Sequence, residues 1–279
     1  MTYKTDLPVM MPMTRPTPDA LQFRLRLWHA IPIFALAIIG PSLAYAASDE
    51  AKISPLTVLA NWTPLLLQGF VFNLVISVCA MAIGTAVGAV LGLGQISPSR
   101  PMRAGCWFIT QFFRNAPWLV LLFFAMFLLP FEVNILGLRI PMPDWFKAIL
   151  GLSLPVMANV SEIVRGAVLS LPSGQWEAAE SLAYTRRQTL WLIILPQCVK
   201  RMLPPWMNLY SILTMATVLA SIVGVSEVMT LTGRALSAEG GRPELLAPFY
   251  GFVLLLFFAY CYPIARYTIR LEKKFAVIT

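Results

Sequence analysis

Apolar residues along this chain gather in continuous blocks and do not alternate with polar ones. After a proline-broken polar stretch at 1–29, an apolar run covers 30–47, and five longer blocks follow at 65–96, 105–130, 145–169, 205–231 and 246–266. A helix rises 1.5 Å per residue, so about twenty residues cross a hydrocarbon core roughly 30 Å thick. Each of the five blocks therefore predicts a membrane-spanning helix. The block at 65–96 is too long to stand vertically and predicts a tilted or projecting helix. A transmembrane β-barrel would need period-two alternation, which the blocks lack. The expected fold is an all-α integral membrane protein with one membrane domain at 60–275, and the chain shows no repeat of fixed period.

The run at 30–47 is interrupted by Pro32 and Pro41. It reads as an extra N-terminal span, making six transmembrane helices, behind a cytoplasmic tail at 1–29. The alternative is a cleaved signal peptide, because basic residues precede it and the small residues Ala44-Tyr45-Ala46 come just before Ser48-Asp49-Glu50.

Composition sharpens this picture. Of 279 residues, 58% are apolar and 12% charged, and the mean hydropathy is +0.73, which no ordinary water-soluble domain shows. A net charge of +8 would suggest nucleic acid in a soluble protein, but here the basic residues lie between apolar blocks and orient the chain in a lipid bilayer. One set of connections collects Lys4, Arg15, Arg24, Arg26, Arg100, Arg103, Arg186, Arg187, Lys200, Arg201, Arg270, Lys273 and Lys274; the other has only Lys52, Arg139, Arg234 and Arg242. Thirteen against four puts both termini in the cytoplasm if the first span is uncleaved, with loops 49–62, 131–144 and 233–248 outside. Cys79, Cys106, Cys198 and Cys261 are scattered in or beside apolar blocks and read as buried thiols. The single histidine, His29, precedes the membrane domain, so neither a His-rich metal site nor His-based catalysis within the membrane is expected.

Ionisable groups inside a span are functional candidates, because burying them unpaired is expensive. Arg114 is about nine residues into its block, just before Pro117. It can grip a substrate carboxylate through two hydrogen bonds, or satisfy carbonyls freed at the proline, or snorkel to the cytoplasmic face. Glu162 and Arg165 are spaced to pair on one helix, with contact between Glu162 and a cationic substrate as the alternative. Glu227, after Gly224, reads as a cap or packing group before a ligand. Ala80, Gly84, Gly88 and Gly92 form a small-residue stripe at four-residue spacing that allows close helix packing, with a pathway-lining face as the other reading.

The connection at 171–197 is unlike an ordinary loop. Ser173 can cap a helix whose first turn carries Glu177, and Ala178, Ala179, Leu182 and Ala183 then form a small-residue face, with Arg186 and Arg187 behind. Such an amphipathic helix can dock into another protein's groove or rest on lipid. Its residues carry a resemblance: Glu177-Ala178-Ala179, Leu182, Arg187-Gln188 and Ile194-Leu195-Pro196-Gln197 resemble the EAA loop of ABC importer permeases. More narrowly, the chain is similar over 65–275 to the polar amino-acid uptake permeases. The matching segments also include Phe113-Arg114-Asn115-Ala116-Pro117, Ser161-Glu162-Ile163-Val164-Arg165-Gly166-Ala167, Ser221-Ile222-Val223-Gly224-Val225 and Leu271-Glu272-Lys273-Lys274-Phe275. The chain departs from the family at Ala183, where glycine is usual, and at Met215, where lysine is frequent.

The resemblance implies the transmembrane permease subunit of an ATP-driven, binding-protein-dependent importer for a polar amino acid or close analogue, in a bacterial inner membrane. It implies a five-span permease core that forms half of the pathway. Expected partners are a second permease subunit, with a heterodimer favoured over a homodimer, two cytosolic ATPases and an extracytoplasmic substrate-binding protein. The coupling residues would be Glu177, Ala178, Ala179, Leu182, Ala183, Arg186 and Arg187, and the gate residues Ser221, Gly224 and Glu227. The chain has no G-x-x-x-x-G-K-[ST] segment, so ATP and Mg are expected on the partner, with no cofactor in this chain and no enzymatic site. The alternative is a secondary transporter or channel subunit, which would need an ion or proton relay that Arg114, Glu162 and Glu227 supply poorly.

Overall fold

A computed structural model describes residues 54–135 and 138–275. The expected tail at 1–29 and extra span at 30–47 lie outside the described residues. The elements in chain order are α1 (Pro55–Gln95), α2 (Arg100–Asn115), α3 (Trp118–Leu128), strands β1 (Glu132–Ile135) and β2 (Leu138–Pro141), α4 (Asp144–Leu169), α5 (Gly174–Ser181), and α6 (Arg186–Gln188). A π-helical stretch (Thr189–Ile194) joins α6 to α7 (Leu195–Ala216), which continues as a 3-10 turn (Thr217–Val223); α8 (Val228–Ala238) and α9 (Leu246–Phe275) follow. Four of the described helical stretches are long and apolar enough to cross a membrane, and α2 with α3 makes a fifth if that bent pair is one span.

The blocks at 145–169 and 246–266 become α4 and the first two-thirds of α9. The others need correction. α1 starts ten residues before the block at 65–96, because Ser54 caps it, its side chain accepting from the Thr57 amide at 3.3 Å, and Pro55 fits the first turn. At 41 residues it is about 60 Å long, so it projects well beyond the hydrocarbon. The block at 105–130 is two helices bent by 106° at Ala116-Pro117, where proline forces the preceding residue into extended backbone. The block at 205–231 is divided: its part up to Val223 ends a helical stretch that starts at Arg186, and 228–231 open α8. That stretch begins at a capping box between Thr185 and Gln188 and ends where Gly224 takes φ +90°. The connection at 131–144 contains an antiparallel hairpin pairing Glu132 with Pro141 and Val133 with Ile140.

α4 is the central helix. Its face of Ala148, Leu152, Val156, Val160 and Val164 packs with Ile76, Ala80 and Met81 of α1, Leu122 and Met126 of α3, and Leu209 and Leu213 of α7. The small-residue stripe of α1 faces α4: a Cβ added at Gly88 would lie 2.5 Å from the Met157 carbonyl oxygen, and one at Gly92 would lie 2.7 Å from Val164 Cβ, while at Gly84 it would overlap Val156. Backbone thus rests on side chain and backbone, a contact that only glycine permits. A second cluster, with Val58, Leu59, Leu66, Ala235, Leu236, Leu245 and Phe249, closes the hairpin end of the bundle. Polar bonds also tie α7 to its neighbours, among them Trp206 Nε1 donating to Thr85 of α1 at 2.9 Å and the Tyr210 and Tyr260 hydroxyls meeting at 2.9 Å.

The stripe predicts an asymmetric response to alanine. Gly88→Ala should cost about 1–3 kcal/mol through overpacking, read as a lower melting temperature in detergent, since the opposing atom is backbone. Gly105→Ala, on α2 with nothing within 4 Å of the added carbon, should be neutral or stabilising by up to about 1 kcal/mol. Equal melting of the two variants would contradict the close α1–α4 contact.

Candidate functional site

Three groups of residues lie along the path from the connection at 171–197 into the bundle. The first is that connection itself. α5 is only eight residues long, too short to be stable alone, and it is held from both ends. On its inner face Trp176 joins Ala167, Val168 and Leu171 at the end of α4 and Ile194 and Cys198 from the following span, and Ala179 is buried. The Gln197 side chain donates to Gln175 at 3.2 Å, and Arg201 donates to the Ser170 carbonyl at 2.8 Å and its hydroxyl at 2.9 Å. The helix therefore moves with α4 and α7 together.

Its C-terminus is closed by a Schellman motif: the Tyr184 amide donates to the Ala179 carbonyl at 3.1 Å and the Ala183 amide to Glu180 at 2.9 Å. The motif puts Ala183 at φ +57°, the only positive-φ position among the described non-glycine residues. Two expectations change here. Ser173 does not cap; it has helical backbone and its side chain makes no cap hydrogen bond. Nor do the small residues form one outward face: Ala179 is 2% exposed and packs within the chain, whereas Leu182 is 71% exposed, and Glu177, Ala178 and Ala183 also face outward. Arg186 and Arg187 belong to the next helix, starting at the capping box, and Arg186 reaches across to the Ile96 carbonyl at 3.3 Å.

The second group surrounds Glu162. Arg165 contacts its carboxylate at 2.8 Å and Arg114 at 3.6 Å, while Gln111 donates to the other oxygen at 3.4 Å. Arg114 does not take up carbonyls at the proline break, as one expectation had it. At the same turn Asn115 donates its side-chain amide to the Gln111 carbonyl at 2.7 Å. Arg114 and Glu162, 46% and 13% exposed, instead line a cavity of about 540 Å³ with Asn159, Arg201 and Asn208. The cavity thus presents cation, carboxylate and amides together, between the bend after α2 and the faces of α4 and α7.

The third group is the break after Gly224. Ser221 bonds within its own turn, to the Val218 carbonyl at 2.7 Å. Glu227 is fully buried and caps α8, accepting from the Thr230 amide at 3.0 Å. Asn73 of α1 holds the whole break: it donates to Glu227 at 2.9 Å and to Thr217 at 3.0 Å, and accepts from the Val228 amide at 3.1 Å. Sequence reasoning passed over Asn73, whose only signal was a carboxamide in an apolar block. It likewise passed over Gln95, which donates to Thr110 at 3.1 Å and Ser161 at 2.7 Å and joins three helices. Lys147 was missed too; it is fully buried, its ammonium 3.5 Å from the Phe131 ring centroid, with no hydrogen-bond partner among the described residues. Among the described residues no group of three or more His, Cys, Asp or Glu could hold a metal.

Residues 84–261 match the family described as "Binding-protein-dependent transport system inner membrane component". The chain belongs to this family. It is 33% identical over 213 residues to a probable amino-acid ABC transporter permease protein, YckA, of Bacillus subtilis, covering 76% of this chain and 90% of that one. With the inner membrane amino-acid ABC transporter permease protein YhdY of Escherichia coli it shares 30% identity over 207 residues, 74% of this chain and 55% of the relative. The fold matches a chain from the crystal structure of an amino acid ABC transporter with histidines, with a TM-score of 0.68 at 21% identity, over 80% of this chain and 99% of that one. The chain is accordingly a multi-pass membrane permease of the ABC importer type, a subunit that works with an ATPase and a substrate-binding protein.

In this permease the strained turn at Ala183 is open to improvement. Ala183→Gly should stabilise the protein by up to about 1 kcal/mol, because glycine relieves the left-handed residue at some entropic cost, and Ala183→Val should destabilise it. Thermal melting of both variants in detergent checks this. A lower melting temperature for the glycine variant would contradict the Schellman geometry.

Proposed function

We propose that this permease carries a polar amino acid or close analogue, that it contributes one half of the pathway, and that the exposed face of α5 is where a cytosolic ATPase grips it. The observation that carries this reading is the mechanical one: α5 packs through Trp176 on the end of α4 and bonds to Gln197 of α7, Arg201 ties α7 to Ser170 at the end of α4, and those two helices also form walls of the cavity around Glu162. A displacement of α5 is therefore a displacement of the cavity wall. ATP and Mg sit on the partner, whose closure brings two such helices together and biases the bundle between inward and outward openings.

Substrate chemistry follows from the cavity. A zwitterionic amino acid carries a carboxylate and an ammonium, and the cavity offers Arg114 to the first and Glu162 to the second, with Asn159 and Asn208 for polar side chains. Arg165 pairs with Glu162 at 2.8 Å beside this cavity. Permease relatives named for amino-acid transport support this class. The coupling residues on the outer face are Glu177, Ala178 and Leu182, with Ala183, Arg186 and Arg187 at the turn behind them, while Ala179 secures the helix from within. Ser221, Gly224 and Glu227 set the break opposite. Both termini, if the first span is uncleaved, and α5 lie on the cytoplasmic side, where the basic connections gather. The hairpin and the connection at 233–248 face the substrate-binding protein, and a second, different permease subunit completes the pathway.

Reversing charge on the docking face should uncouple the transporter without unfolding it. Glu177→Lys or Leu182→Asp, both at exposed positions, should leave membrane insertion and melting near those of the parent. Substrate-stimulated ATPase activity and uptake by proteoliposomes with the binding protein should fall about tenfold or more, since a misplaced interfacial charge costs several kcal/mol. Normal coupled transport in both variants would overturn the assignment. Ala179→Asp should instead lower melting, because it buries a carboxylate.

A further inference from the structure

A larger cavity, of about 810 Å³, opens between the α1–α2 turn and α5. Arg100 and Arg103 from the first turn of α2, Arg165 from α4 and Arg186 from α6 line it, and no Asp or Glu does. Only Arg165 has a carboxylate, and that carboxylate is Glu162, which lines the other cavity. Arg186 spends one contact on the Ile96 carbonyl and lies 5.7 Å from the Trp176 ring; Arg103 reaches the Ser97 carbonyl at 3.5 Å. Arg100 has no hydrogen-bond or ion-pair partner among the described residues. Gathering guanidiniums without anions is unfavourable by like-charge repulsion, and an anion bridging them would relieve it.

The surroundings indicate which anion. Trp107, 53% exposed, and Leu169, 65% exposed, stand at the rim of the same cavity, so apolar surface adjoins the arginines at an end of the bundle where the spans leave the hydrocarbon. Tryptophan beside clustered arginine at that depth is the pattern that holds a lipid by head and chain at once. The α5 face proposed to meet the ATPase points away: Trp176 closes the cavity from the inner side of α5, while Glu177 and Leu182 are exposed. We infer that this cavity binds a phosphate-bearing anion, supplied as the headgroup of an anionic phospholipid whose chains lie along Trp107 and Leu169. The cavity shares Arg186 with the proposed coupling turn and Arg165 with the Glu162 pair, so the test is placed on Arg100 and Arg103, which have neither role; the inference requires only that this end of the bundle meet the membrane interface.

The test uses the full-length chain purified in detergent and melted with increasing phosphatidylglycerol, phosphatidylcholine or sn-glycerol 3-phosphate. Phosphatidylglycerol should raise the melting temperature saturably and phosphatidylcholine should not. Arg100→Gln should raise the half-saturating phosphatidylglycerol concentration about fivefold, and Arg100→Gln with Arg103→Gln about 25-fold, as expected for interfacial arginines. Arg234→Gln, an exposed arginine on α8 outside this cavity, should leave it unchanged. Melting in phosphatidylcholine reports whether each variant folds, and the single variant, which breaks no described contact, carries the test if the double variant melts early. Saturation by sn-glycerol 3-phosphate in the same concentration range would support the phosphate site with a soluble source. Stabilisation by phosphatidylglycerol that is no greater than by phosphatidylcholine, or equal in parent and variants, would overturn it. So would an Arg100→Gln variant that keeps the lipid response but loses its ATPase, which would give the arginines to that protein.

Discussion

The contact on which the rest depends is the approach of α1 to α4 along Gly84, Gly88 and Gly92. In a bilayer, helices gain little from burying apolar surface against one another, so they associate by close packing and by polar bonds. Glycine lets the backbone of α1 sit against Met157 and Val160 with no side chain between. That contact fixes the rotation of α4, which turns Glu162 toward one cavity and Arg165 toward the other and delivers Leu169 to the start of the connection at 171–197. An eight-residue helix such as α5 has no independent stability, so its position reports that of α4 and α7.

Two polar clamps complete the frame. Asn73 reaches from α1 to Glu227, Thr217 and the Val228 amide, satisfying the backbone where the helical stretch breaks at Gly224. Gln95 does similar work at the other end, between Thr110 and Ser161. Broken backbone within a membrane is tolerated only where protein groups re-satisfy it; Asn73 does so at the Val228 amide, whereas Gln95 bonds two hydroxyls and ties three helices together. Between the clamps the bundle can shift as a few rigid bodies, with the bend at Ala116-Pro117 and the π-helical stretch at Thr189–Ile194 as the irregular points.

Much of this was legible in the sequence because it depends on local pattern. Helix α4 and the start of α9 fall where the apolar blocks begin, and the glycine stripe declares its purpose by spacing alone. The span beginning at Arg186 was not legible: the apolar block starts only at 205, yet the helix runs through Pro204 and Pro205 from well before it. An i to i+5 bond from the Leu195 amide to the Leu190 carbonyl adjusts the backbone ahead of Pro196. Nor could the loop at 171–197 reveal that Ala179 turns inward, since a short run of alanines has no preferred face until the rest of the chain packs on it, as Trp176 does against Ile194 and Cys198. Charge inside an apolar block identified Arg114 and Glu162 as residues of interest, but their shared cavity with Asn208 follows from three helices meeting, and Asn73, Gln95 and Lys147 gain meaning only from residues far along the chain.

The central claim is that motion enters this permease through the outer face of α5. Site-specific photo-cross-linking tests it most directly: a photoreactive amino acid is placed singly at Glu177, Leu182, Trp145 or Ser237 in cells that also express the cognate ATPase. The account predicts adducts with the ATPase from Glu177 and Leu182 and none from Trp145 or Ser237. Adducts from Trp145 or Ser237, or none from either α5 position in a complex that remains active, would contradict it.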